Sequence, residues 1–141
     1  MHDAVRPLTS DDIAEVTALE AEARTALSDQ RGGPEHLAEE PPADWPAAIG
    51  RAWVGTLDDV VFGYLEAAYE GSTARVRQVF VHPEARELGL GDALLAAALD
   101  AARAAGCTVL EGTALPGDRA TKNLYERAGI KARKIVVSVP L

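Results

Sequence analysis

The chain has 141 residues, 48% of them hydrophobic and 26% charged, which fits one globular domain with one substantial core and is too short for two. Its net charge of −8 disfavours binding to nucleic acid, because an acidic surface gains little from counterion release. No apolar run approaches the roughly 18 residues of a membrane span, and no signal-peptide pattern stands at the start. With one cysteine, Cys107, no internal disulfide can form, so the expected home is cytoplasmic.

Ala4–Val5–Arg6 reads as a first strand, limited by Pro7. Thr9 or Ser10 can cap a helix from Asp11, where acids in the first turn oppose the helix dipole. Ile13, Val16, Leu19 and Ala23 then keep a helical period. Residues 28–46, with Gly-Gly and Pro-Pro, read as a long loop with room for one helical turn. Residues 52–57 and 60–68 read as two strands joined by a tight turn at Asp58-Asp59. A turn at Glu70-Gly71-Ser72 leads to a further strand over 74–81, stopped by His82 and Pro83. A helix is predicted over 92–105, with Leu94, Leu95, Ala98, Leu99, Ala101 and Ala102 packing and Gly106 terminating it. A strand over 109–115, a helix capped by Asp118 and ending at Gly129, and a last strand over 135–139 complete the chain.

The order is β-α-(loop)-β-β-β-α-β-α-β. The unit made of 74–81, 92–105 and 109–115 is βαβ, so its two strands should be parallel, while the hairpin before it makes the rest antiparallel. The expected fold is therefore α/β, with a mixed sheet of about six strands flanked by helices.

Charge divides the chain. Residues 1–70 carry 4 basic and 15 acidic side chains, a net of −11, and residues 71–141 carry 10 and 7, a net of +3. That suits an anionic ligand in the C-terminal half and a cationic one facing the N-terminal half, although solvated acidic helices also explain the first figure.

The chemistry centres on HPEARELGLGDALL, residues 82–95, where a polar loop with two glycines runs into an alanine- and leucine-rich helix. A helix start offers free N–H groups and partial positive charge, and glycine lets an anion approach. Arg86, Gly89 and Gly91 together point to a phosphate or pyrophosphate ligand rather than a plain turn. A P-loop is ruled out because no Lys follows Gly91, and the dinucleotide fingerprint fails at Leu94, where a third glycine is needed. No metal-ligand spacing or nucleophile triad stands out.

RELGLG, residues 86–91, resembles the acyl-CoA signature [QR]-x-x-G-x-[GA] of the GNAT N-acetyltransferase superfamily. VFVHPEARELGLGDALL resembles that family's strand, loop and helix. DRATKNLYERAGI (118–130) resembles its second block, and VRPLTSDDIAEVTAL its opening. The resemblance covers nearly the whole chain, strongly over 74–130 and weakly over 28–50. It implies an acetyl-CoA cleft where the parallel strands 74–81 and 109–115 splay apart, with no metal. The backbone of Phe80 and Val81 would pair with the pantetheine arm. The loop and helix start formed by Arg86, Glu87, Leu88, Gly89, Leu90, Gly91 and Asp92 would hold the pyrophosphate. Tyr125 would protonate the leaving thiolate, and Asp118 and Asn123 would contact the ligand, although Asp118 stands where the family often has Asn.

The general base is open among Glu66, Tyr69, Glu70, His82, Glu111 and a water chain. Glu66 is favoured because its strand can face the acceptor. The implied activity is direct transfer of acetyl from acetyl-CoA to a primary amine of a small molecule or peptide, with an acceptor region over roughly 19–45. The competing reading is a non-catalytic acyl-CoA-binding sensor of the same fold. The family also implies a homodimer, and only about eleven residues follow Ile130, enough for one strand, so the sheet edge is shortened or completed by a partner chain.

Overall fold

The structure, a computed structural model, describes residues 4–141. A five-stranded sheet, in the order β1-β2-β3-β4-β5, carries helices on both faces. The elements are β1 (Ala4–Pro7), α1 (Ile13–Ser28), α2 (Gly33–Glu39), α3 (Trp45–Ala48), β2 (Ala52–Leu57) and β3 (Val60–Glu70). They continue with β4 (Thr73–Val81), α4 (Leu90–Ala104), β5 (Val109–Gly112) and α5 (Arg119–Arg127). Neighbours β1 to β4 pair antiparallel, and β4 and β5 are parallel, as the βαβ unit requires.

Local chemistry accounts for most boundaries. Asp58 and Asp59 both have positive φ, 50° and 65°, which gives the two-residue β2–β3 turn the twist that hairpins favour. A single-turn 3-10 helix (Ser10–Asp12) leads into α1. There Asp12 accepts from the Thr9 amide at 2.8 Å and from Arg6 through both oxygens at 2.7 and 2.8 Å. The buried Asp12 carboxyl thus ties β1 to α1, and the Arg6 hydrogen bonds hold it below the usual carboxylate range.

Two hydrophobic clusters lie on opposite faces of the sheet. Val16, Leu19, Trp45, Val54 and Tyr64 pack beneath α1 to α3. Trp53, Leu65, Val76, Leu94, Leu95, Leu124 and Tyr125 pack beneath α4 and α5. Coverage on both faces explains why the central strands read as nearly continuous apolar runs.

Four expectations need correction. The sheet has five strands, not six: residues 135–139 form no strand and stand exposed, because no strand among the described residues pairs with them. The loop predicted over 28–46 contains two short helices. Pro34 and Pro46 sit in their first turns, where a missing N–H costs nothing, and Trp45 is buried edge-on against Tyr64 at 5.2 Å. Helix α4 begins at Leu90 rather than 92, and β5 stops at Gly112 rather than 115 because β4 turns away from it there.

Candidate active site

A bulge in β4 creates the site. Ala67 pairs with Val76 and Glu66 with Gln78, which leaves Arg77 as the extra residue. The extra residue bends β4 and brings two consecutive side chains to one face. Pairing between β4 and β5 ends at Val76 and Gly112, immediately before that bulge. From Arg77 to Val81, β4 has β3 on one side and no strand on the other.

The register says which backbone groups face the gap. His82 donates its N–H to Phe62 O at 2.7 Å, so Gly63 and Val81 are a non-hydrogen-bonded pair. Val81, and Val79 two residues earlier, therefore turn N–H and C=O toward the open side. Phe80 turns its own toward β3. Of the two residues expected to pair with an extended ligand, Val81 turns its backbone groups to the open side and Phe80 does not, whereas Val79 does.

Beyond Val81 the chain turns through Pro83–Ala85, with His82 Nδ1 accepting from the Glu84 amide at 3.1 Å. Arg86 folds back so that Nε donates to Val81 O at 3.1 Å and the guanidinium lies 5.8 Å from the Phe80 ring centre. Glu87 and Gly89 both have positive φ, 68° and 83°. Such a conformation is costly for Glu and free for Gly, and strain of this kind gathers at functional loops. The two glycines differ in purpose. Gly89 needs the left-handed conformation and has open space where a side chain would be. A Cβ at Gly91 would make ordinary contact with Leu124 at 3.4 Å and Val81 at 3.6 Å, so packing alone does not demand glycine there. Leu90, Gly91 and Asp92 are the first turn of α4, whose N–H groups have no partner within the helix. The Asp92 carboxylate pairs with Arg127 at 3.0 Å, and Leu88 is exposed.

Tyr125 lies at the floor of the gap. A Cβ on Gly112 would run into its Oη, so the last residue of β5 is glycine because the phenol occupies that place. Burial, helped by the charge of Asp118, pushes the Tyr125 phenol upward, so it keeps its proton. Asp118 uses both oxygens on Thr121, accepting from N at 3.1 Å and from Oγ1 at 2.6 Å, and so serves as the cap of α5. Asn123 is exposed.

On the α1 face a buried polar network fills the space under the bulge. Glu66 is 0% exposed. It accepts from Arg51 at 3.0 Å, Arg77 at 3.3 Å and Gln78 at 3.0 Å. Gln78 Nε2 also donates to Glu20 at 2.7 Å, and Glu20 accepts from the Ala43 amide at 2.9 Å and Trp45 Nε1 at 3.1 Å. Arg75 pairs with Glu40 at 2.8 Å, and Arg77 donates to Pro41 O at 2.8 Å, which straps residues 40–43 across β4. Glu66, the expected general base, thus has both oxygens engaged.

Among the other base candidates, Tyr69 is pushed up by partial burial and by Cys107, Glu70 pairs with Arg75 at 3.3 Å, and Glu111 is exposed. Sequence reading missed Gly112, Glu20, Arg77 and Gln78. The signal for the last two was the break in alternation at Arg77-Gln78, two polar residues in a row within a strand. Among the described residues no group of three His, Cys, Asp or Glu could hold a metal, and no helix is long and apolar enough to cross a membrane.

Residues 16–130 match the model of the family described as "Acetyltransferase (GNAT) family". No curated protein matches the chain. Among solved structures, the chain is similar to the aminoglycoside N-acetyltransferase AAC(6')-Iy in complex with the bisubstrate analogue CoA-S-monomethyl-acetylneamine, at 18% identity and TM-score 0.73, covering 100% of this chain and 99% of that one. It is similar to AAC(6')-Ih from Acinetobacter baumannii at 19% identity and TM-score 0.69, with 99% and 98% covered. A transcriptional regulator from Bacillus halodurans C-125 has 20% identity and TM-score 0.67, with 99% and 100% covered. At these identities the likeness is one of fold.

Proposed function

The chain belongs to the acetyltransferase (GNAT) family, and on that premise we propose that it transfers an acetyl group from acetyl-CoA directly to a primary amine. The observation that carries this reading is the alignment of three features along one gap: the open β4 edge at Val79 and Val81, the glycine-led start of α4, and the protonated Tyr125 at Gly112. Acetyl-CoA supplies all three with a matching part. Its pantetheine amides would continue the ladder on β4. Its pyrophosphate would meet unpaired N–H groups and the helix dipole at Leu90, Gly91 and Asp92. Its thioester would then lie near the Tyr125 phenol.

The residues divide the work of the reaction. An amine lone pair attacks the thioester carbonyl, the C–S bond breaks, and the departing thiolate takes the Tyr125 proton. General acid assistance of this kind contributes about 10²–10⁴-fold. Arg86 now occupies Val81 O, so the ligand's amide N–H displaces it and frees its guanidinium for the phosphates. The proton lost by the amine passes to Glu66 only if its arginine pairs loosen; otherwise it leaves through water.

The acceptor is an amine of a small molecule or peptide. The acidic N-terminal half favours a cationic one, and the aminoglycoside enzymes among the structural relatives make an amino sugar a natural first choice for screening. The engagement of both Glu66 oxygens favours a second reading, an acyl-CoA-binding domain without turnover. Calorimetric titration with acetyl-CoA beside the Gly89→Asp variant tests the shared premise. Micromolar binding lost in the variant supports the site, and no binding to the wild type removes both readings. Release of free thiol with an amine panel then separates them.

A further inference from the structure

One row of the sheet carries no side chain at its centre. On the face that meets α4, the register sets Val5 beside Gly55, Gly55 beside Gly63 and Gly63 beside Val81. The adjoining row on that face holds Trp53 beside Leu65. Both glycines are buried in strand interiors, where glycine packs least and loses the most backbone freedom. Neither adopts a positive φ, so backbone conformation does not call for them. What calls for them is space. A Cβ on Gly55 would lie 3.3 Å from Leu90 Cδ2 and 3.6 Å from Leu90 Cβ. On Gly63 it would lie 3.3 Å from Leu94 Cδ1, 3.3 Å from Val81 Cγ2 and 3.1 Å from Phe80 O. Carbon atoms pack best at roughly 3.5–4.0 Å, so an added methyl at either position pushes back on α4.

Leu90 and Leu94 stand one turn apart on the same side of α4 and are 3% and 0% exposed. Their side chains drop into the notch between Val5 and Val81. Leu90 is also the first residue of α4, whose N–H groups form the anion site of the reading above. That helix start has no side-chain cap, because Gly89 stands at the capping position. Residues 86–89 are exposed, so the first side chain after Ala85 to anchor the chain in the core is that of Leu90. The depth at which Leu90 seats in the notch therefore sets where the N–H groups stand relative to the open edge of β4.

We propose that Gly55 and Gly63 are positioning residues for the anion site, acting through Leu90 and Leu94. Together they cut the notch that fixes the first turn of α4 against the sheet. The proposal rests on the acetyl-CoA reading and adds to it two residues that act from beneath the helix. It concerns the phosphate end of the ligand, which meets the helix start, and not the arm, which meets β4.

The test is calorimetric titration of the wild type, Gly55→Ala and Gly63→Ala with two ligands, acetyl-CoA and S-acetylpantetheine, which has the same arm and no phosphate. A misplacement of about 1 Å can cost about 10²-fold, so a displacement of a few tenths should weaken acetyl-CoA about tenfold in each variant and leave S-acetylpantetheine within about twofold. The double variant Gly55→Ala, Leu90→Val moves one carbon from the helix side of the contact to the sheet side and conserves volume, so it should recover most of the lost affinity. Circular dichroism checks folding. If Gly63→Ala does not fold, Gly55→Ala decides, since its nearest contacts are all with the Leu90 side chain. Glycine variants that bind acetyl-CoA as the wild type does overturn the proposal and leave the acetyl-CoA reading standing. Equal loss of both ligands, or a double variant as weak as Gly55→Ala, overturns it as well and assigns the glycines to general packing. A wild type that binds neither ligand removes the acetyl-CoA reading and this proposal with it.

Discussion

Gly112 and Tyr125 show how tightly a single residue can be specified. Any side chain at 112 would displace the phenol, and any residue but tyrosine at 125 would leave the end of the gap without a buried O–H. The phenol carries no charge to be solvated, and its burial favours the protonated form. Burial therefore keeps the proton on the phenol and makes it a weaker acid than a free tyrosine. Replacing Tyr125 with Phe should lower kcat by about 10²-fold or more while calorimetric affinity for acetyl-CoA stays within a few-fold, since ring packing is kept. Equal loss of affinity and turnover would reassign Tyr125 to packing. Glu66 presents the opposite case at the same scale: its burial comes with three donors, and that satisfaction lets a carboxylate sit beneath a sheet.

At the scale of elements, β4 is the hinge of the design. Before the bulge it is an interior strand between β3 and β5, and after it an edge strand with a vacant ladder. Helix α5 holds Tyr125 in place from outside the sheet, and its start depends on Asp118, which engages both the amide and the hydroxyl of Thr121. Loss of such a cap typically costs about 1 kcal/mol. Asp118→Ala should reduce unfolding free energy by about that amount in a denaturant titration. Asp118→Asn, which keeps an accepting oxygen, should lose less. An undiminished alanine variant would mean that packing of Leu124 and Tyr125 alone orders the helix. The element boundaries themselves were readable where local chemistry set them: the Asp58-Asp59 turn, the Gly106 and Gly129 helix ends, the capping Asp118. They were misread at 28–46, where two helices of seven and four residues are held by tertiary contacts of Trp45 and by Arg24 donating to Glu40 O, not by their own periodicity.

The molecule as a whole is a sheet shared by two cores, one under α1 to α3 and one under α4 and α5. Arg6 and Asp12 join the first strand to the first of these layers. Because the Asp12 carboxyl is held below its ordinary 3.8, its contribution to stability is complete above that value and disappears as pH falls through the lowered one. Unfolding free energy should therefore decline with acid below about pH 4, and the decline should be shallower in Asp12→Asn. Hydrogen bonds to a charged group of this kind contribute roughly 1.5–3 kcal/mol, so the variant should also be less stable at neutral pH. Identical acid limbs for the two proteins would assign the effect to other carboxylates.

The sequence by itself determined the fold class, the βαβ unit and the glycine-led start of α4, and Tyr125 stood out only through the resemblance of residues 118–130 to the family's second block. The first three rest on short-range facts: alternation along a strand, a glycine where φ must be positive, an oxygen beside the first helical amides. Only the tertiary structure decided the rest. Gln78 meets Glu20 across 58 positions and Glu66 across 12, and both meetings depend on a one-residue bulge that re-aims every side chain after it. The same bulge decides that Val79 and Val81 face the gap and Phe80 does not. Whether the run at 135–139 becomes a strand is also set beyond its own residues, because a strand exists only where another edge lies beside it to receive its hydrogen bonds.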